Sequence, residues 1–161
     1  VGTALQPNLT DFLTFLRGVV GIEAAYLPDA SLSIVYAFQT AMATVSPDLA
    51  SIPSYPLIPQ NPLPWTTYAV AVYNLGADRI ISFAPDQTGR TFFKDMRKDL
   101  GINTFRPGVV ASSGGTGNSQ STLNPEFMKG LTMGDLQNMK TSYGREYLNM
   151  AQQIGPLWGL T

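Results

Sequence analysis

Cysteine and histidine are both absent from this 161-residue sequence. Without cysteine there are no disulfides, thiolate metal sites or thiol nucleophiles, and nothing calls for an oxidising compartment. Without histidine the chain lacks the commonest general base and the commonest metal ligand, and every Ser-His-Asp or Cys-His arrangement with them. Charge is scarce as well: 13% of residues are charged, where about a quarter is typical. With Lys plus Arg at 10 and Asp plus Glu at 11, the formal charge of -1 points to neither a nucleic-acid nor a membrane partner on global charge. Much of the surface must therefore be neutral, and neutral surface favours association. The hydrophobic share of 44% is ordinary, and a chain of this length suits one domain that buries roughly two-thirds of its unfolded surface.

The N-terminal VGTALQPNLTDFL lacks the basic and then apolar blocks of a signal peptide. Thr10 is placed to cap a short first helix, with Phe12, Phe15 and Leu16 at helical spacing and Gly18 and Gly21 ending the run. A longer helix follows, capped by Asp29 or Ser31, and its apolar residues Leu32, Val35, Tyr36, Phe38, Met42 and Val45 predict a wide buried face. Ser46 and Pro47 stop it, because the residue before proline is biased away from the α region.

No charged residue occurs from Leu49 to Ala77, and six of the twelve prolines lie from Pro47 to Pro64. Repeated proline fixes φ and removes donors, so residues 47–64 read as an ordered, extended linker. Its interleaved Ile52, Tyr55, Leu57, Ile58 and Leu63 favour packing against this or a neighbouring chain over service as a proline-rich ligand.

From Pro64 and Trp65 the pattern turns helical and apolar nearly all round, which places the helix in the middle of a bundle or against a second subunit. Asn74, Asp78 and Arg79 interrupt the apolar stretch from Trp65 to Ala84, so no membrane span is expected. Asn74 and Asp78 lie four apart on one helix face and read as a structural polar pair, with Arg79 adjoining. A basic helix follows, with Thr88 as its cap, Phe92, Phe93, Met96 and Leu100 on its apolar side and Gly101 at its end. Arg90, Lys94, Arg97 and Lys98 lie on its polar face. Residues 88–106 hold five basic and two acidic residues, against two basic and six acidic in residues 1–86. A solvated face explains this segregation; the sharper reading is a stripe facing DNA or an acidic partner.

Between Pro107 and Pro125 runs PGVVASSGGTGNSQSTLNP, nineteen residues without a charge. A structureless stretch this long is uncommon inside a compact domain unless it is functional or disordered. Its glycines loosen the backbone and its small polar side chains build no core. It reads as an extended arm, with a short β-hairpin or strand at about 107–125. Val109, Val110, Ser112, Ser113, Gly114, Thr116, Ser119 and Leu123 are the candidate contacts to another subunit or partner. Asn124 and Pro125, then Thr132 with Asp135, mark further helix starts. Thr141 or Ser142 caps a last helix whose stripe is Tyr143, Tyr147, Met150, Ala151 and Ile154.

Catalytic patterns fail one by one. SSGGTGNS lacks the Lys and the following Ser or Thr of a phosphate loop. Glu23, Asp29, Glu126 and Glu146 sit at helix ends or on polar faces, where solvation or capping explains them better than paired glycosidase chemistry. The aromatic residues follow helical spacing and do not interleave with a basic groove, so core packing outranks base stacking. The expectation is a non-enzyme with no cofactor and no metal.

LTDFLTFL, YAVAVYNLGADRIISF, the neutral tract opening with GVVASS, and above all LQNMKTSYGREYLNM resemble the head-to-tail connector, or adaptor, proteins of tailed bacteriophages. The strongest local match is Leu136, Thr141, Tyr143, Gly144, Tyr147 and Leu148, supported by Asp11, Phe12, Phe15, Leu75 and Ala77. The resemblance spans nearly the whole chain and implies an all-α single domain: a small helical bundle with an extended, partly β arm. It implies a homo-oligomeric ring, typically a dodecamer, at the head–tail interface of a virion assembled in the host cytoplasm. Such a ring docks beneath the portal protein, extends the DNA channel with non-specific contact to packaged DNA, and presents a platform to a tail or nozzle protein. Members often carry a histidine after the alanine of the central helix, where this chain has Asp78, so no role tied to that histidine transfers. A tail-completion or minor capsid protein stays open as an alternative, as does, from another class, a small binding module or hydrolase.

Overall fold

The computed structural model describes residues 6–52, 65–102, 109–110, 122–123 and 140–154. These residues form a helical fold around one long central helix, in agreement with the all-α expectation. The first helix, α1, spans Leu9–Phe15 and runs straight into a π-helical turn, Leu16–Val20. Its cap is Asn8, not Thr10: the Asn8 side-chain oxygen accepts the Asp11 N–H at 2.8 Å while its amide donates to the Asp11 carboxylate at 2.8 Å. Thr10 lies inside the first turn and cannot reach an unsatisfied N–H ahead of itself. Gly21, at φ 79, ends the π turn in the left-handed region that only glycine enters freely.

Ser31 caps α2, Leu32–Thr44, and Ser46 caps a 3-10 turn at Pro47–Ser51. The linker expected over 47–64 therefore starts as a tight turn; residues 53–64 lie outside the described residues. The buried face of α2 agrees only in part with the one its larger residues predict. Ile34, Ala37, Phe38, Ala41 and Val45 are buried, while Leu32 (83%), Tyr36 (59%) and Met42 (37%) are exposed. Alanines at 37 and 41 give the inward face a small profile, so α2 can approach its neighbour closely, and the bulkier side chains are left outside.

That neighbour is α3, Thr67–Phe83, capped by Thr66, whose hydroxyl accepts the Ala69 N–H at 3.1 Å. Every residue from Ala71 to Asp78 is buried. The helix is apolar all round because α2 covers one side and the last helix, α5 (Ser142–Ala151), covers another, with α1 and the π turn closing over Phe12, Phe15 and Leu16. Phe12 stacks on Phe38 at 5.5 Å and on Tyr73 at 5.8 Å between ring centroids. It also lies on Gly76, where an added Cβ would stand 2.7 Å from the ring.

The short helix α4, Phe92–Asp99, follows α3. Thr88 does not cap it. The Asp86 carboxylate does, accepting the Phe93 N–H at 2.7 Å and the Lys94 N–H at 3.0 Å, a charged acceptor at the positive end of the helix dipole. Gly101, at φ 62, closes α4, with Ile102 N–H donating back to the Arg97 carbonyl at 3.0 Å. Val109–Val110 (β1) and Thr122–Leu123 (β2) pair antiparallel, Val109 opposite Leu123 and Val110 opposite Thr122.

Candidate functional site

The centre of the fold is polar at one point. Asn74 and Asp78 are both buried on α3, but their hydrogen bonds lead away from each other. The Asn74 amide donates to the Val70 carbonyl one turn back, at 2.9 Å. Asp78 accepts the hydroxyl proton of Thr141, the residue that caps α5, and the same Thr141 oxygen accepts the Gly144 N–H at 2.8 Å. Burial pushes the Asp78 carboxyl up to about 6, against the Thr141 hydrogen bond and the nearby Arg79 charge, both of which pull it down. The chemistry of the pair is thus architectural: a buried acid with one hydroxyl donor joins two helices. The i, i+4 spacing places both residues on one face, but it cannot reveal a partner 63 positions away in sequence.

Arg79 points the other way, toward the outside of the α2–α3 seam. Its Nη2 donates to the Thr44 hydroxyl at 2.7 Å. Burial lowers its pKa, opposed by the charge of Asp78 and then by Tyr147 and Tyr36. Tyr36, Thr40, Ala43, Thr44, Arg79 and Phe83 line a groove of about 370 Å³ at this seam. The Tyr36 and Phe83 rings meet edge to face at 5.6 Å. Sequence reading missed this groove because it treats Tyr36 as core; the exposed position of Tyr36 depends on which side of α2 faces α3.

The four basic residues of the α4 region do not share one free face. Arg97 turns inward: its Nη1 donates to the Ile81 carbonyl at 3.2 Å and the Ala84 carbonyl at 2.9 Å, and its guanidinium lies 4.0 Å from the Asp86 carboxylate. It therefore satisfies carbonyls that the end of α3 leaves without intrahelical partners, and it is withdrawn from the proposed basic stripe. Arg90 lies over the Tyr26 ring, 5.0 Å from its centroid, and Tyr26 stacks in turn on Phe92 at 4.3 Å. Lys94 and Lys98 are exposed.

A comparable clasp holds the loop that carries Tyr26. Arg17 donates to the Ile22 and Leu27 carbonyls, each at 2.6 Å, and pairs with Asp29, which fixes the loop between the π turn and α2. Asp29 is thus committed to this loop and leaves the α2 cap to Ser31. Of the candidate arm contacts, Val109, Val110 and Leu123 fall in the paired strands, whereas Ser112, Ser113, Gly114, Thr116 and Ser119 lie outside the described residues.

Among the described residues, no three acidic side chains gather where they could hold a metal ion, and no helix is long and apolar enough to cross a membrane. No family model, no curated protein and no solved structure matches this chain.

Proposed function

We propose that the chain is a virion structural protein, a head-to-tail adaptor that forms a ring beneath the portal, extends the DNA channel and offers a platform to the tail. The observation that carries this reading is the sequence resemblance centred on TSYGREYLNM, whose segments are also the ones that build the core. LTDFLTFL supplies α1, YAVAVYNLGADRIISF lies in α3, and TSYGREYLNM caps and forms α5. A sequence pattern that runs through mutually packed helices constrains a fold, and the adaptor fold is what the resemblance implies.

Two physical features support assembly over catalysis. The first is the β1–β2 pair, which puts extended, strand-paired backbone inside the neutral tract. Extended backbone can add to a strand of a neighbouring chain, the mode of recognition in which main-chain hydrogen bonds give affinity. The neutral tract from 107 to 125 is thus the arm of this reading, contacting a neighbouring subunit, the portal or the tail. The second feature is the polar interior, where the buried acid Asp78 is committed to holding α5 on α3.

The test is oligomeric mass. The protein should sediment as a ring on its own or on addition of purified portal. A species that stays at 17.4 kDa at high concentration with portal present would sink the adaptor reading. Deleting residues 112–121 should leave a folded monomer that no longer assembles or docks; unchanged assembly would remove the arm from the mechanism.

A further inference from the structure

The groove at the outer seam of α2 and α3 contains one cation that the fold leaves incompletely used. A guanidinium carries five N–H donors in a planar fork. Among the described residues, Arg79 has a single hydrogen bond, to the Thr44 hydroxyl, and no carboxylate within 4.0 Å. This contrasts with the other two inward-turned arginines: Arg17 and Arg97 each satisfy two backbone carbonyls and face an aspartate. Beside Arg79 stand the exposed apolar side chains Tyr36, at 59%, and Phe83, at 44%, and Leu32 continues the strip one turn before Tyr36 at 83%. Exposed aromatic and aliphatic side chains that adjoin a groove mark interaction surfaces. The volume of about 370 Å³ falls within the range of clefts that hold small ligands or side-chain clusters, roughly 300–1,000 Å³.

We propose that this groove is a docking site for a protein partner, and that it receives a carboxylate side chain flanked by an aromatic or aliphatic neighbour from an acidic, apolar peptide segment. Charge complementarity selects the occupant. A planar carboxylate matches the free edge of the guanidinium and can take two parallel hydrogen bonds, the arrangement that makes arginine–carboxylate pairs strong and directional. The neighbouring apolar side chain then covers Tyr36 and Phe83. A nucleic-acid backbone fits less well, because affinity for repeated phosphates needs several cations and, among the described residues, Arg79 is the one cation lining this groove. The inference holds for any protein partner and does not depend on the chain forming a ring.

The experiment is a titration of the 15N-labelled full chain with a short capped peptide bearing one glutamate between a leucine and a phenylalanine, alongside the same peptide with glutamine. The glutamate peptide should shift the resonances of Thr40, Ala43, Thr44, Arg79 and Phe83 with a dissociation constant on the order of 1 mM. The glutamine peptide should bind at least about tenfold more weakly. Binding should be lost in Arg79→Gln, and also in Ala43→Trp, which fills the groove from an exposed position on α2 and leaves Arg79 in place. The second variant keeps the test decisive if the first disturbs folding. Equal binding of the two peptides would overturn the proposal, as would tighter binding of a short DNA duplex or of inorganic phosphate at the same residues. Shifts that arise on concentrating the protein alone and vanish in Ala43→Trp would assign the groove to a second copy of this chain, and would overturn a separate partner.

Discussion

Thr141 donates its hydroxyl proton to the buried Asp78 carboxylate and so fixes the start of α5 to the middle of α3. This one contact joins the two helices that pack most extensively on each other. It also makes the fold sensitive to pH, because desolvation raises Asp78 from the ordinary 3.8 to about 6. The folded state then holds this proton more tightly than the unfolded chain. The stability contributed by the protonated form is complete below the unfolded value and is lost as the pH rises through about 6. Two pKa units at about 1.4 kcal/mol each amount to roughly 3 kcal/mol. Urea unfolding of the wild type should therefore show stability falling, relative to Asp78→Asn, between about pH 4 and about pH 7. Profiles that run parallel across this window would show that Asp78 titrates normally.

Removing the other partner has a different signature. Thr141→Val deletes both the hydroxyl that Asp78 accepts and the acceptor for the Gly144 N–H. Loss of a helix cap costs about 1–2 kcal/mol, and a buried carboxylate deprived of its donor adds about 1–3 kcal/mol. Thr141→Ser keeps both hydrogen bonds and should recover most of the loss in thermal melts. A loss confined to Thr141→Ser, with Thr141→Val as stable as the wild type, would place the effect in packing of the threonine methyl group instead.

The contact of Phe12 with Gly76 predicts the sign of a substitution that helix propensity alone would get wrong. Gly to Ala inside a helix normally stabilises by about 1 kcal/mol. Here the added Cβ meets the Phe12 ring at 2.7 Å, and Phe12 is fully buried and stacked on Phe38 and Tyr73. Overpacking of this kind costs about 1–3 kcal/mol. Gly76→Ala should lower the urea midpoint, and Gly76→Ala with Phe12→Leu should regain part of it. A more stable Gly76→Ala single variant would show that α1 can shift outward at little cost.

The sequence carried the helices well and their faces less well. The existence of α1 to α5 follows from periodicity and punctuation, and Ser31 and Thr141 were legible as caps because each precedes an apolar run. Caps that act from a distance were not: Asp86 reaches the start of α4 from outside the helix, six residues before its first helical position. The face of α2 was legible at Phe38 and Val45 but not at Leu32, Tyr36 and Met42, because residue size and burial part company there. Two alanines mark the tight contact, and Tyr36 is left to line the Arg79 groove. Pairings of Asp78 with Thr141 and of Arg97 with the end of α3 depend on tertiary approach, for which a single chain's local pattern has no signal.

Arg97 and its neighbours on α4 separate a structural cation from surface ones. Because Arg97 bonds the Ile81 and Ala84 carbonyls beyond its own helix, Arg97→Gln should cost about 1–3 kcal/mol by leaving these acceptors and Asp86 without a charged partner. Lys94→Glu and Lys98→Glu lie on the exposed side and should each stay within about 0.5 kcal/mol. This difference decides how a DNA-facing role for α4 can be tested. Charge reversal at Arg97 would confound misfolding with lost contact, whereas reversal at Lys94 and Lys98, extended to the Tyr26-stacked Arg90, changes the surface field while the Arg97 clasp stays in place. If α4 faces packaged DNA, heads assembled with the reversed protein should lose DNA faster than wild-type heads, by a margin that narrows as salt is raised, since phosphate contacts are salt-dependent. Normal retention together with normal unfolding midpoints would take α4 out of the channel and leave Lys94 and Lys98 as solvated surface residues.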